Sequence, residues 1–171
     1  MNKNTFLFIF CVLSAVSSIN AQTTFDWDTP VITVDAAAGT VTQNKNGVKT
    51  TFYGVSNEVN ASNGEGFGGS TRNVISSSTA TFSSSVTFKF SKPVSVTSVL
   101  AIDATNFPKD WVFTPIGGSN SPVRASLKTL GGTSVDLNWT DVTEFTITSS
   151  LTDGKLGGDI FMLDNLVVRL N

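Results

Sequence analysis

Asp164 places a carboxylate inside the otherwise apolar run FMLDNLVV, near the end of a 171-residue chain. In an extended segment residues two apart share a face, so Asp164 is expected beside Met162, Leu166 and Val168, with Phe161, Leu163, Asn165 and Val167 opposite. If its face is buried, the charge needs an ion pair, hydrogen bonds or a metal ion. Arg169 falls on the other face and offers no pairing there.

The chemistry open to the chain is narrow. It contains no histidine, and its single cysteine is Cys11. The commonest general base and a zinc site of His/Cys type are therefore not available. One carboxylate pair could do glycosidase-type work: Asp103 and Asp110 flank the turn ATNFPK and could approach one another. Acidic residues at strand ends more ordinarily form solvated turns, so the expectation is a non-enzyme, with a small glycan-active enzyme as the lesser alternative.

Hard cations suit this composition better, because calcium takes carboxylate and carbonyl oxygens. In FDWD, Phe25 and Trp27 alternate with Asp26 and Asp28, which places both acids on one face. Neither an EF-hand spacing nor a Gly-Asp repeat accompanies them. Sugar recognition would need flat exposed rings with amides and carboxylates around them. Trp111, beside the Asp103 and Asp110 turn, and Tyr53, leading into a long loop, are the candidate rings. Trp111 shares its face with Phe113, so core packing competes for it. The loop over residues 56–72 offers Asn60 and Asn63, with Glu58 and Glu65, as polar contacts.

Those residues need elements to hold them, and the pattern is all-β. Short β-branched and aromatic runs alternate with Gly, Asn, Ser and Pro clusters, and helical periodicity is almost absent. Strands are expected over residues 23–27, 31–34, 49–55, 85–90, 94–104, 111–115, 123–129, 134–139, 144–149 and 159–169. Asn46-Gly47, Gly131-Gly132 and Asp153-Gly154 supply turns that accept positive φ. Val86, Phe88 and Phe90 form one buried face, Val135, Leu137 and Trp139 another, and Phe145 and Ile147 extend the inner layer. About ten short strands in one domain favour a two-sheet antiparallel β-sandwich of jelly-roll or Greek-key type.

Residues 1–21 read as an export signal: Lys3, an apolar run from Phe6 to Val16, and a small residue, Ala21, before the expected cleavage. That run is too short to span a bilayer, and residues 22–171 form one expected domain. With the leader goes Cys11, so no disulfide can form. Beyond it the net charge is −3, with no basic run, which argues against nucleic acid and against an anionic membrane surface. Ser and Thr supply 40 of the 150 residues after Ala21, a composition that suits an exported β-protein.

The segments TFDWDTP, VTSVLAIDA and FMLDNLVV together resemble the layout of exported bacterial jelly-roll domains, notably calcium-containing carbohydrate-binding modules. The resemblance covers the chain after the leader in outline, through short motifs. It implies that Asp164 helps to hold a structural calcium with Asp26 or Asp28. The Asn-Gly that precedes the opening acid strand in that family is missing here. The functional expectation is a secreted or cell-surface, non-catalytic domain that binds a polysaccharide or surface glycan, or acts as an adhesin. A structural or matrix-associated role without a small ligand is the alternative. For Asp164 two partners stay open: a calcium shared with the opening acids, or hydrogen bonds from an adjoining loop. Either makes it a clasp between the two ends of the chain.

Overall fold

The computed structural model describes residues 21–28, 32–77, 85–151 and 160–170. The expected leader before Ala21, the Asp153-Gly154 turn and the expected strand start at Asp159 lie outside them. Eleven strands make up the described chain: β1 (Gln22–Phe25), β2 (Ile32–Asp35), β3 (Thr40–Lys45), β4 (Val48–Tyr53), β5 (Val59–Asn63), β6 (Asn73–Ser77), β7 (Ser85–Asp103), β8 (Lys109–Ile116), β9 (Val123–Ser126), β10 (Gly131–Leu151) and β11 (Phe161–Leu170). No helix occurs among the described residues, so the fold is all-β as the periodicity implies.

Every pairing is antiparallel, and hydrogen bonding joins the strands into one open, branched sheet. Its main path runs β2-β3-β4-β7-β10-β8-β9, while β11 branches from β7 and carries β1 and, through β6, β5. The branch exists because β7 and β10, 19 and 21 residues long, each unite two expected strands. The first part of β7 pairs with β4, from Thr50↔Phe90 to Tyr53↔Thr87. Its later part pairs with β11, from Leu170↔Val94 to Phe161↔Asp103. The polar Ser91-Lys92-Pro93 segment reads as a break in the sequence, yet the strand continues through it with all three side chains exposed.

Aromatic packing brings the two arms of this sheet together. Trp27, which follows β1, lies 6.0 Å from Phe88 of β7, and Phe88 stacks on Phe145 of β10 at 4.8 Å. Trp111 of β8 meets Phe161 of β11 at 5.0 Å. All five rings are fully buried. Each burial contributes roughly 1.5–3 kcal/mol, before the entropy of ordering the chain is counted. The expected inner faces hold: Val86, Phe88, Phe90, Val135, Leu137, Trp139, Phe145 and Ile147 are all in the core.

Three strands are invisible to apolar periodicity. β3, β5 and β6 read TVTQNK, VNASN and NVISS, and polar side chains dominate them. β5 lies within the stretch expected to be irregular, residues 56–72, because its pairing with β6 is a backbone matter that side-chain alternation does not record. β3 and β4 close over Asn46-Gly47, whose φ values of 49° and 73° fit a tight hairpin turn.

Candidate functional site

The segment that follows β1 meets the 64–72 loop and β11 near Asp28. Asp164 is 1% exposed, so the buried face inferred for it is real, but its neighbours differ from those expected. Phe161 and Leu163 are buried, and then Asp164, Leu166 and Val168, so the alternation changes phase between positions 163 and 164. A bulge causes it: the register with β7 shifts between Asp164 and Val167, and Asn165 adopts a φ of 47°. Met162 therefore does not share the Asp164 face.

Hydrogen bonds reach the buried carboxylate from the 64–72 loop and from its own strand. Ser70 Oγ donates to Asp164 Oδ2 at 2.8 Å, and the Asn165 backbone N–H donates to Oδ1 at 2.7 Å. The Asn165 amide adds a longer bond at 3.3 Å. Burial still pushes the Asp164 carboxyl up to about 6, and the negative charges of Asp26 and Asp28 push the same way. The opening acids are thus close enough to be felt at Asp164, although among the described residues no side chain links them to it directly.

Asp26 and Asp28 have partners of their own. Lys45 Nζ lies 2.6 Å from Asp26 Oδ1, and Gln43 Nε2 donates to the same oxygen at 3.2 Å. Burial pushes the Asp26 carboxyl up, but the hydrogen bonds from Lys45, the Asp28 backbone and Gln43 outweigh it, and the group titrates below the usual range. Gln43 is fully buried and braces the segment further, accepting from the Trp27 backbone N–H at 3.2 Å and donating to the Asp28 carbonyl at 3.3 Å. That bracing accompanies a φ of 56° at Trp27, a conformation costly for a bulky residue. Asp28 Oδ1 accepts from the Asn73 backbone at 3.3 Å, and Arg72 approaches Oδ2 at 3.5 Å.

Beside Asp28 opens a cavity of about 300 Å3 lined by Asp28, Asn63, Glu65, Arg72 and Asn73. Every lining side chain among the described residues is polar or charged. The loop that supplies the rim is internally tied, with Gly64 N–H to the Arg72 carbonyl at 2.6 Å and Gly66 N–H to the Ser70 carbonyl at 3.0 Å. It docks on β10 by close backbone approach: a Cβ at Gly132 would stand 1.7 Å from the Gly68 carbonyl oxygen. Only glycine at 132 allows the loop to sit there.

The remaining expected site residues lie elsewhere. Trp111 is fully buried between Phe113 and Phe161 and has no face for a sugar, so the competing core role holds. Tyr53 is 40% exposed, but Lys89 Nζ stands 5.5 Å above its ring and pairs with Glu144. Asp103 is fully buried, bonded to Lys109 at 3.0 Å and to the Thr105 N–H and hydroxyl at 2.7 and 2.9 Å. It cannot touch a ligand from solvent. Asp110 instead faces β9, accepting from Ser126 at 2.6 Å and Arg124 at 2.9 Å, which hold its carboxyl below the usual range. The two acids, one at the end of β7 and one in β8, thus serve different partners. Asn60 is exposed on β5 and Glu58 in the turn before it, neither lining the cavity. Asn63 and Glu65 do line it.

Among the described residues no group of three or more His, Cys, Asp or Glu side chains is arranged to hold a metal ion. Gln43, Lys45, Ser70, Arg72 and Asn73 complete the site and escape the sequence reading. Of these only Ser70 and Arg72 fall within the 56–72 loop that the sequence singles out. No family model matches the chain, and comparison with curated proteins finds no relative.

Proposed function

We propose that this chain is an exported, non-catalytic β-sandwich domain that binds a polysaccharide or surface glycan at the Asp28 cavity. One observation supports this reading most: carboxylates, amides and a guanidinium from two distant segments line a single cavity. The guanidinium donates to sugar hydroxyls, the carboxylates accept from them, and the amides do both. Recognition there is polar, since no ring among the described residues lines the cavity. The separate engagement of Asp103 by Lys109 and of Asp110 by Arg124 favours a binding role over carboxylate-pair catalysis.

Calcium belongs to the proposal as a structural ion. The carboxylate oxygens of Asp28 and Asp164 are of the kind a hard cation takes, and a cation would relieve the charge that burial and like charges disfavour at Asp164. Asp26 fits that role poorly, because Lys45 already neutralises it. Export rests on the leader composition. The test is a glycan array with and without calcium, using the wild type and an Asp28→Asn, Glu65→Gln double variant. Retention of a glycan by the wild type and its loss in the variant is expected. No retained glycan in either buffer ends the proposal.

A further inference from the structure

A second cavity, of about 330 Å3, opens where β7, β10 and β11 fall out of register. Its lining includes Thr97, Asn138, Trp139, Thr140 and Arg169. On the β10 side the pairing passes from Asp136↔Ser98 to Trp139↔Val96, and on the β11 side from Val167↔Ser98 to Val168↔Val96. Thr97 thus has no register partner on either flank of a central strand. Bulges re-aim side chains and interrupt ladders, and here the interruption opens a hollow into the sheet face. Asn138 sits at the bulge with a φ of 51°, a conformation that is uncommon outside glycine. Trp139 is held in the wall by its indole N–H, which donates to the Ser121 carbonyl at 2.9 Å.

The charge of this cavity is one-sided. Arg169 is exposed at its rim, and among the described residues no ion pair uses it and no acidic side chain lines the cavity. A guanidinium presents a planar fork that matches a carboxylate through two parallel hydrogen bonds. The Asn138 amide and the hydroxyls of Thr97 and Thr140 can each bond a neutral hydroxyl. The volume lies at the small end for ligand sites, enough for one monosaccharide unit. We propose that this cavity binds a single sugar acid, a hexuronate, with its carboxylate on Arg169 and its hydroxyls on Asn138 and the threonines. The site shares no residue with the Asp28 cavity and stands whether or not that cavity binds glycan.

Titration of the whole protein with D-glucuronate, followed by NMR or calorimetry, tests the assignment, with glucose, acetate and sulfate as separate arms. Glucuronate should bind and shift the resonances of Asn138 and Arg169, and glucose should bind at least about tenfold more weakly, because it lacks the charge-assisted pair. Arg169→Gln should weaken glucuronate by about tenfold or more without moving the melting temperature, since the side chain is exposed. Asn138→Gly keeps the backbone conformation while removing the amide, and should also weaken binding. No glucuronate binding, equal binding of glucose, or unchanged affinity in Arg169→Gln would overturn the proposal. Acetate or sulfate binding as tightly as glucuronate would overturn its assignment to a sugar acid.

Discussion

Ser70 Oγ and Asp164 Oδ2 are 2.8 Å apart although 94 positions separate the residues in the chain. The bond fastens the loop that rims the Asp28 cavity to the last strand. Because the acceptor is buried and desolvated, its charge state governs both the bond and the stability of the fold.

An unfolded aspartate titrates near 3.8 and the folded Asp164 near 6. Between those values the folded state keeps a proton that the unfolded state has released, so stability falls as pH rises through the window and is lowest above it. The displacement corresponds to roughly 3 kcal/mol. Asp26 and Asp110 titrate below the usual range, so what they contribute is lost only under more acidic conditions. Denaturant melts in calcium-free buffer between pH 4 and 7 should show the slope in wild type and a flatter one in Asp164→Asn. Equal slopes would contradict the assignment to Asp164.

Asp164→Ala removes the acceptor for Ser70 and for the Asn165 backbone, and should destabilise the fold by about 1–3 kcal/mol at pH 5. Amide exchange within residues 64–72 should accelerate more than in β7, because the loop loses its anchor first. Uniform acceleration across the protein would argue against a local clasp.

Gln43→Leu keeps the volume of a fully buried side chain but deletes three hydrogen bonds, leaving the Trp27 N–H and the Asp28 carbonyl unpaired. A loss of about 2–4 kcal/mol is expected from chemical denaturation. A neutral result would mean that the opening segment is held mainly by ring packing between Trp27 and Phe88.

Lys109 and Asp103, 3% and 0% exposed, form an ion pair at 3.0 Å in the interior. Lys109→Met strands a buried carboxylate and should cost about 3–5 kcal/mol. Adding Asp103→Asn should recover part of that loss, because the stranded charge is then gone. Additive losses in the double variant would show that the two charges are not coupled.

Trp111→Ala should destabilise by about 3–5 kcal/mol through the cavity left beside Phe113 and Phe161. Tyr53→Ala, at an exposed position, should fall within about 1 kcal/mol of wild type. Thermal and denaturant melts of the two variants compare them directly, and similar losses would contradict the burial difference.

Much of the architecture was legible from local pattern. Apolar alternation at Val86, Phe88 and Phe90 marks a buried face wherever a strand pairs, because side chains two apart must point the same way. Asn46-Gly47 marks a hairpin because both residues accept positive φ. The acidic residue inside FMLDNLVV signals a need for partners from its burial alone, and Asn63 and Glu65 were legible as polar loop groups.

Tertiary structure alone decided who meets whom. The Asp164 bulge shifts the later side chains by one face, at a register shift against β7 where Asn165 takes a φ of 47°. Ser70, Gln43 and Lys45 are ordinary polar residues in sequence, and only chain crossing brings them to Asp164, Trp27 and Asp26. Trp111 could not be assigned to solvent or core until Phe161 arrived from the other arm of the sheet. Local sequence determines the strand period and the turns, because those depend on neighbouring dihedrals. Long-range pairing determines the cavities and the charge partners, because they arise between segments that share no local pattern.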